Sequence, residues 1–291
     1  MREYVLPVFL FVTLSGFIGF FFYCVFLILA AFLVWMLLIK LLNYKAFLFP
    51  LPLRRTIQWL HAMTFETLFL FVAFFLRPLC YFQNQEKFTG VSSCRPILLI
   101  HGYLDDSSAW TYIKRELGRQ GFGPVYTLRL THPFRSICSY AEFVREKAQR
   151  IAQETGRNDL ILIGHSMGGL VSSWYATKLA PPGTVTDVIT VGSPLAGTYV
   201  AYAALGPSGR EMQPDSAFVK ELQKGIRENK QIRFYHIGTR TDQLVFPASS
   251  SWLGDDLERQ FVVDDIGHVS LLFSSRILNK ICEWLRQGSK V

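Results

Sequence analysis

Two hydrophobic patterns divide the chain. From Val5 to Ile39 no charged residue occurs across 35 positions. As one helix that stretch would be about 50 Å long, against a hydrocarbon core of about 30 Å. It predicts one tilted, over-long membrane span or a tight pair of short ones, with Gly16 and Gly19 as bend or packing points. The run is too long for a cleaved signal peptide. A second apolar stretch, Thr56–Leu76, has the length of a span, but His61 and Glu66 fall in its first half. An ionisable group inside a span costs a few kcal/mol and marks packing or function. This segment is expected to cross the membrane, with a flat interfacial helix as the alternative.

From about residue 95 apolar runs alternate with amphipathic stretches. Pro96–His101, Val125–Leu130, Asp159–Gly164, Val185–Gly192, Gln231–Gly238 and Gln260–Val263 are predicted as strands. Ser139–Glu154, Met167–Leu179 and Ser275–Arg286 have helical spacing. Strands alternating with helices imply an α/β domain with a parallel sheet covered on both faces. The expected organisation is a membrane anchor over 1–89 and a soluble domain over 90–291, with a lid-like insertion at 198–229.

Charge sharpens that division. Residues 1–89 hold 10 of the 52 charged residues and 17 of the 25 Phe. The net charge of +8 is shared equally, +4 in each part. No basic run exceeds Arg54-Arg55 and no zinc-finger or RNA-binding signature occurs, so a membrane partner is expected and nucleic acid is not. Lys40, Lys45, Arg54 and Arg55 form a loop without acidic residues, which the positive-inside rule places in the cytoplasm. If Thr56–Leu76 crosses, the soluble domain lies on the outer face; if it lies flat, the domain is cytoplasmic. The outer face is the expectation. The five cysteines, Cys24, Cys80, Cys94, Cys138 and Cys282, form no dense framework, and pairing of Cys80 with Cys94 stays open.

The candidate chemistry lies wholly in the second part. Gly164-His165-Ser166-Met167-Gly168 fits G-x-S-x-G, with a predicted strand before it and a helix after it. A serine held in so sharp a turn needs neighbours without bulk, which Gly164 and Gly168 supply. A serine hydroxyl also needs a base. His268, in the loop Asp265-Ile266-Gly267-His268 after the last strand, is the candidate; His236 lies mid-strand and suits the core. The acid should follow the preceding strand, which makes Asp242 the candidate, with Asp264, Asp265 and Asp187 as rivals. Two backbone N–H groups, those of Tyr103 and Met167, are expected to form the oxyanion hole, with His101 and Gly102 shaping the loop.

These residues occur in the order of a known family. His101-Gly102-Tyr103, the segment Gly164–Gly169, Val191-Gly192-Ser193-Pro194-Leu195-Ala196-Gly197-Thr198, Thr241–Val245 and Gly267-His268 resemble the lipase/esterase branch of the α/β-hydrolase superfamily. In pattern they are similar to bacterial lipases and GPI inositol-deacylase-like hydrolases. The resemblance covers roughly residues 95–287. It implies an α/β-hydrolase fold with a mostly parallel, minimal sheet of about six strands. It also implies ester hydrolysis through an acyl-enzyme, with no cofactor and no metal, and a bacterial inner membrane as the location. The expected protein is a membrane-anchored serine esterase or lipase acting on lipid or other esters. An acyltransferase with the same triad, or an inactive membrane-attached binding module, are the alternatives. The oligomeric state has no sequence signature here.

Overall fold

Six apolar runs become the strands of one parallel sheet, as their spacing predicts. The computed structural model describes residues 61, 62, 66 and 94–288, except 133 and 255. The chain divides into two units, Met1–Thr56 and Ile57–Val291, and every described residue belongs to the second. The strands are β1 (Ile97–Ile100), β2 (Val125–Leu128), β3 (Leu160–His165), β4 (Val185–Val191), β5 (Arg233–Thr239) and β6 (Gln260–Val263). Their order in the sheet is β2-β1-β3-β4-β5-β6. Every pairing is parallel. The expected six-stranded α/β-hydrolase sheet is therefore present.

The pleat assigns alternate residues to opposite faces. Leu98 and Ile100 join one core with Val144 and Ile151 of α2 (Ile137–Thr155), Leu170 of α3 (Met167–Trp174) and Leu222 of α5 (Ala217–Glu228). Ile97 and Leu99 join the other, with Ile113 and Leu117 of α1 (Thr111–Arg119) and Ile277, Ile281 and Leu285 of α6 (Ser275–Gln287). Burying each such Leu or Ile contributes about 1.5–3 kcal/mol. These two cores make the sheet a rigid platform whose strand ends all point the same way.

Local signals end the helices. The Ser136 hydroxyl caps α2 by accepting from Ser139 N at 3.1 Å, and Gly156 stops it in the left-handed region at φ 68°. The predicted helix 167–179 is α-helical only to Trp174 and then widens into a π turn over Tyr175–Leu179. Helix α1 had no sequence prediction, because it buries only Ile113 and Leu117 and so shows one thin apolar edge. The insertion at 198–229 contains α4 (Gly206–Glu211) and α5. Phe218, Val219, Leu222 and Ile226 of α5 are ordinary core, whereas Tyr199, Tyr202 and Leu205 are exposed.

The predicted span 5–39 lies outside the described residues, as does most of 56–76. Among the described residues no helix is long and apolar enough to cross a membrane. Of the predicted span 56–76, residues 61, 62 and 66 are described. His61 and Glu66 are engaged by the hydrolase domain: His61 Nδ1 lies 3.0 Å from Asp265 O, and Glu66 is buried against Val269 and Ser270. Both ionisable groups find polar partners in protein.

Candidate active site

The site forms where β3 gives way to α3. One residue, Ser166, separates them, at φ 54° and ψ −127°. L-residues rarely adopt that conformation, and holding it costs about 1–3 kcal/mol. The turn survives because it is braced on both sides. Ser166 N donates to Val191 O at 2.9 Å, and Gly169 N donates to Ser166 O at 3.1 Å. A Cβ on Gly164 would overlap the Gly168 carbonyl, and one on Gly168 would overlap the carbonyls of Ile100 and His101. Two glycines thus let α3 close directly onto β3 and β1. Met167, as the first residue of α3, has no intrahelical acceptor for its N–H.

Across the carboxyl ends of β5 and β6, the structure brings Asp242 and His268 together. His268 Nδ1 lies 2.8 Å from Asp242 Oδ2, with both side chains essentially buried. The other carboxylate oxygen, Oδ1, accepts from Leu244 N at 2.9 Å and Val245 N at 2.7 Å. Those two donors lock the carboxylate plane, and the carboxylate in turn holds a proton on Nδ1. That leaves Nε2 as the lone-pair side, and this atom is buried without a hydrogen-bond partner. An oriented imidazole with its Nε2 lone pair unengaged is what a general base requires. The structure makes no hydrogen bond from Ser166 to His268. It places both around His165, whose ring centroid is 4.6 Å from that of His268.

The loop carrying His268 is fixed atom by atom. Thr239 and Thr241 donate their hydroxyls to Ile266 O at 2.6 and 2.7 Å. His268 N donates to Gln243 Oε1 at 3.2 Å. His165 Nε2 lies 3.1 Å from His268 O. Glu66 accepts from Val269 N at 2.7 Å, and from Ser270 N and the Ser270 hydroxyl at 3.0 Å each. None of these supports stands out in the sequence as part of the site. Glu66 alone carried a signal, as an ionisable residue inside an apolar run.

Electrostatics divide the histidines. Burial opposes a charged His268, but the Asp242 charge and hydrogen bond, aided by Glu66 and Asp105, outweigh it and raise the pKa. His165 goes the other way: burial and the neighbouring His268 push it well below the ordinary value. Burial takes His236 down to about 4, and its Nδ1 meets Thr190 Oγ1 at 2.9 Å in the core. Of His165, His236 and His268, only the last combines an oriented tautomer with a raised pKa.

The loop after β1 lies against the serine. A Cβ on Gly102 would sit 2.9 Å from Ser166 Cβ, so the backbone of His101-Gly102-Tyr103 passes as close as glycine allows. His101 keeps that shape, with Nδ1 3.0 Å from Gly102 O and Nε2 accepting from Leu130 N at 2.9 Å. The Tyr103 hydroxyl reaches the insertion, donating to Leu205 O and accepting from Leu205 N, each at 3.0 Å. Leu104, Phe134, Tyr199, Tyr202, Leu205 and Leu244 are large apolar residues left exposed on the loops and insertion that follow the strands.

Two of the rival acids, Asp187 and Asp265, are occupied elsewhere. Asp187 sits near the amino end of β4, where Arg95 and Arg233 each hold it at 2.6 Å. Asp265 pairs with Arg276 at 2.5 Å.

Solved structures share the fold. The mature lipase BlEst2 of Bacillus licheniformis is 16% identical, with a TM-score of 0.57 over 67% of this chain and 94% of that one. Lipase B of Aspergillus fumigatus is 20% identical, with a TM-score of 0.52 over 62% and 49% of the two chains. A bromoperoxidase of Bacillus anthracis is 12% identical, with a TM-score of 0.52 over 68% and 93%. One fold thus carries different chemistries, and the reaction must be argued from the site. The model of the alpha/beta hydrolase family matches residues 97–286, which span the whole sheet, the serine elbow and the Asp242–His268 pair, and the chain belongs to that family.

Proposed function

We propose that this hydrolase cleaves carboxylic esters, lipid esters among them, through an acyl-enzyme on Ser166. The observation that carries the reading is the buried Asp242–His268 pair with its open Nε2, the His268 ring lying 4.6 Å from that of His165, the residue before the strained Ser166. In this reading His268 Nε2 takes the Ser166 proton as Oγ attacks the ester carbonyl. The N–H groups of Met167 and Tyr103 stabilise the oxyanion. The same imidazole then protonates the leaving alcohol, and water, activated by His268, releases the acid. Asp242 keeps the tautomer and stabilises the imidazolium throughout. No metal or cofactor enters these steps. The exposed apolar rim from Leu104 to Leu244 favours a long acyl chain over a small polar ester.

Membrane attachment through 5–39 belongs to the same proposal, supported by the uncharged run in the sequence. The side of the membrane follows from reach. Arg55 and His61 are six residues apart, about 20 Å at full extension, too short to cross a hydrocarbon core of about 30 Å. His61 lies on the hydrolase domain. The domain is therefore proposed on the same face as the basic loop, the cytoplasmic one by the positive-inside rule. The proposal thus takes the cytoplasmic alternative rather than the outer face.

Full-length protein and its Ser166→Ala variant, assayed on p-nitrophenyl esters of increasing chain length, test the reading. Wild type should turn over esters with a preference for longer chains, and the variant should lose turnover while keeping its melting temperature. Retained turnover in Ser166→Ala refutes the nucleophile. Product analysis with a competing alcohol separates acyl transfer from hydrolysis, and failure of a fluorophosphonate to label Ser166 favours an inactive binding module.

A further inference from the structure

Glu66 is distant in sequence from every other residue of the site, and Val269 lies 203 positions after it. It is helical and only 1% exposed. Its carboxylate collects three donors from two consecutive residues: Val269 N, Ser270 N and the Ser270 hydroxyl. The Ser270 hydroxyl also accepts from Gly267 N at 2.7 Å, so the acid and this serine together bracket His268 on both sides. A Cβ on Gly267 would lie 2.5 Å from Glu66 Oε2 and 2.8 Å from Gln243 Oε1. The glycine before His268 is thus required by the closeness of this carboxylate.

We propose that Glu66 is a positioning residue for His268, so that the segment preceding the hydrolase domain is part of the catalytic unit rather than only a tether. The inference rests on the reading of His268 as the base. Backbone amides 269 and 270 open a short 3-10 turn over Ser270–Phe273, and an anion there satisfies donors that the turn leaves without acceptors. The carboxylate fixes the turn, the turn fixes the His268 backbone, and Asp242 then fixes the ring. The arrangement also places a second carboxyl group near the imidazole: burial raises its pKa, while the Val269 and Ser270 donors and His268 favour its charged form. The charged and titratable groups acting on His268 are Asp242, Glu66 and Asp105, with His165 against its ring. All three carboxylates favour the imidazolium.

The test uses full-length protein in detergent micelles or nanodiscs. Glu66→Gln keeps the size but presents an amide N–H to at least one backbone N–H. We expect kcat to fall roughly tenfold to a hundredfold, the scale of a small misplacement of a reacting group, with KM within about twofold. The acid limb of the kcat/KM profile should move to lower pH, because less negative charge disfavours the imidazolium. The His268 pKa read by NMR on histidine-labelled protein should fall in parallel. A role confined to stability predicts a lower melting temperature with neither the limb nor the NMR pKa moved, and that result overturns the proposal, as does unchanged kcat. If Glu66→Gln does not fold, Ser270→Ala is the deciding variant. It removes one carboxylate bond and keeps the charge, so kcat should drop several-fold with the His268 pKa retained; wild-type kcat there overturns the proposal. If wild type itself neither hydrolyses esters nor reacts with a fluorophosphonate, the esterase reading fails, and the NMR titration still decides whether Glu66 acts on His268.

Discussion

Asp242→Asn is the sharpest probe of the site, because the structure dictates how the new side chain must sit. Asp242 Oδ1 accepts two backbone N–H groups, from Leu244 and Val245, at 2.9 and 2.7 Å. An asparagine can satisfy them only by pointing its carbonyl oxygen there. Its NH2 group then faces His268 Nδ1, where Oδ2 had been at 2.8 Å. Two donors cannot share one hydrogen bond, so the imidazole moves its proton to Nε2. An Nε2–H cannot take the proton of Ser166. In a serine triad this tautomer error costs about 10⁴-fold in rate, or about 5 kcal/mol of transition-state stabilisation. The pH profile carries a second signature. In wild type the raised pKa puts the acid limb of kcat/KM above the ordinary histidine value of 6.5. Activity is lost as pH falls through that pKa, since only neutral His268 is a base. Without the Asp242 charge, burial dominates and the residual limb should move below it. The assay is steady-state hydrolysis of a p-nitrophenyl ester from pH 5 to 9, with thermal unfolding as the fold control. Activity within tenfold of wild type, or an unmoved limb, would refute the reasoning.

Two further outcomes follow from the same geometry. Gly168→Ala drives a methyl into the carbonyls of Ile100 and His101; it should destabilise by about 1–3 kcal/mol, lower the melting temperature by several degrees and abolish ester turnover, and a wild-type melt would show the elbow to be less tightly braced. A C-terminal topology reporter should score on the same membrane face as a tag in the 40–55 loop, and a signal from opposite faces would overturn the docking of His61 and Glu66 as the guide to topology.

The site was legible to different depths. Ser166 was legible because a strained turn needs Gly164 and Gly168, and glycine at fixed spacing between a strand and a helix is a local pattern. His268 and Asp242 followed from order and loop position, and the structure joins them while Asp187 and Asp265 turn to arginines. His165 carried no signal, since its ring meets His268 only after β3 and the last loop converge. Thr239, Thr241 and Gln243 looked like ordinary polar residues at a strand end, yet they hold Ile266 and His268.

Sequence alone determined what each segment does with water. Alternation and apolar runs set the six strands and the long helices, since burial of those side chains depends on local spacing. It also determined the serine turn and the uncharged run 5–39. Only the tertiary structure decided which polar groups share a buried space. Glu66 reads in sequence as a charge inside an apolar run, and the fold brings its carboxylate to the backbone of Val269 and Ser270, some 200 residues away. The physical reason is that periodicity records one residue's exposure, whereas a buried hydrogen bond needs two groups whose meeting is fixed by the path of the whole chain.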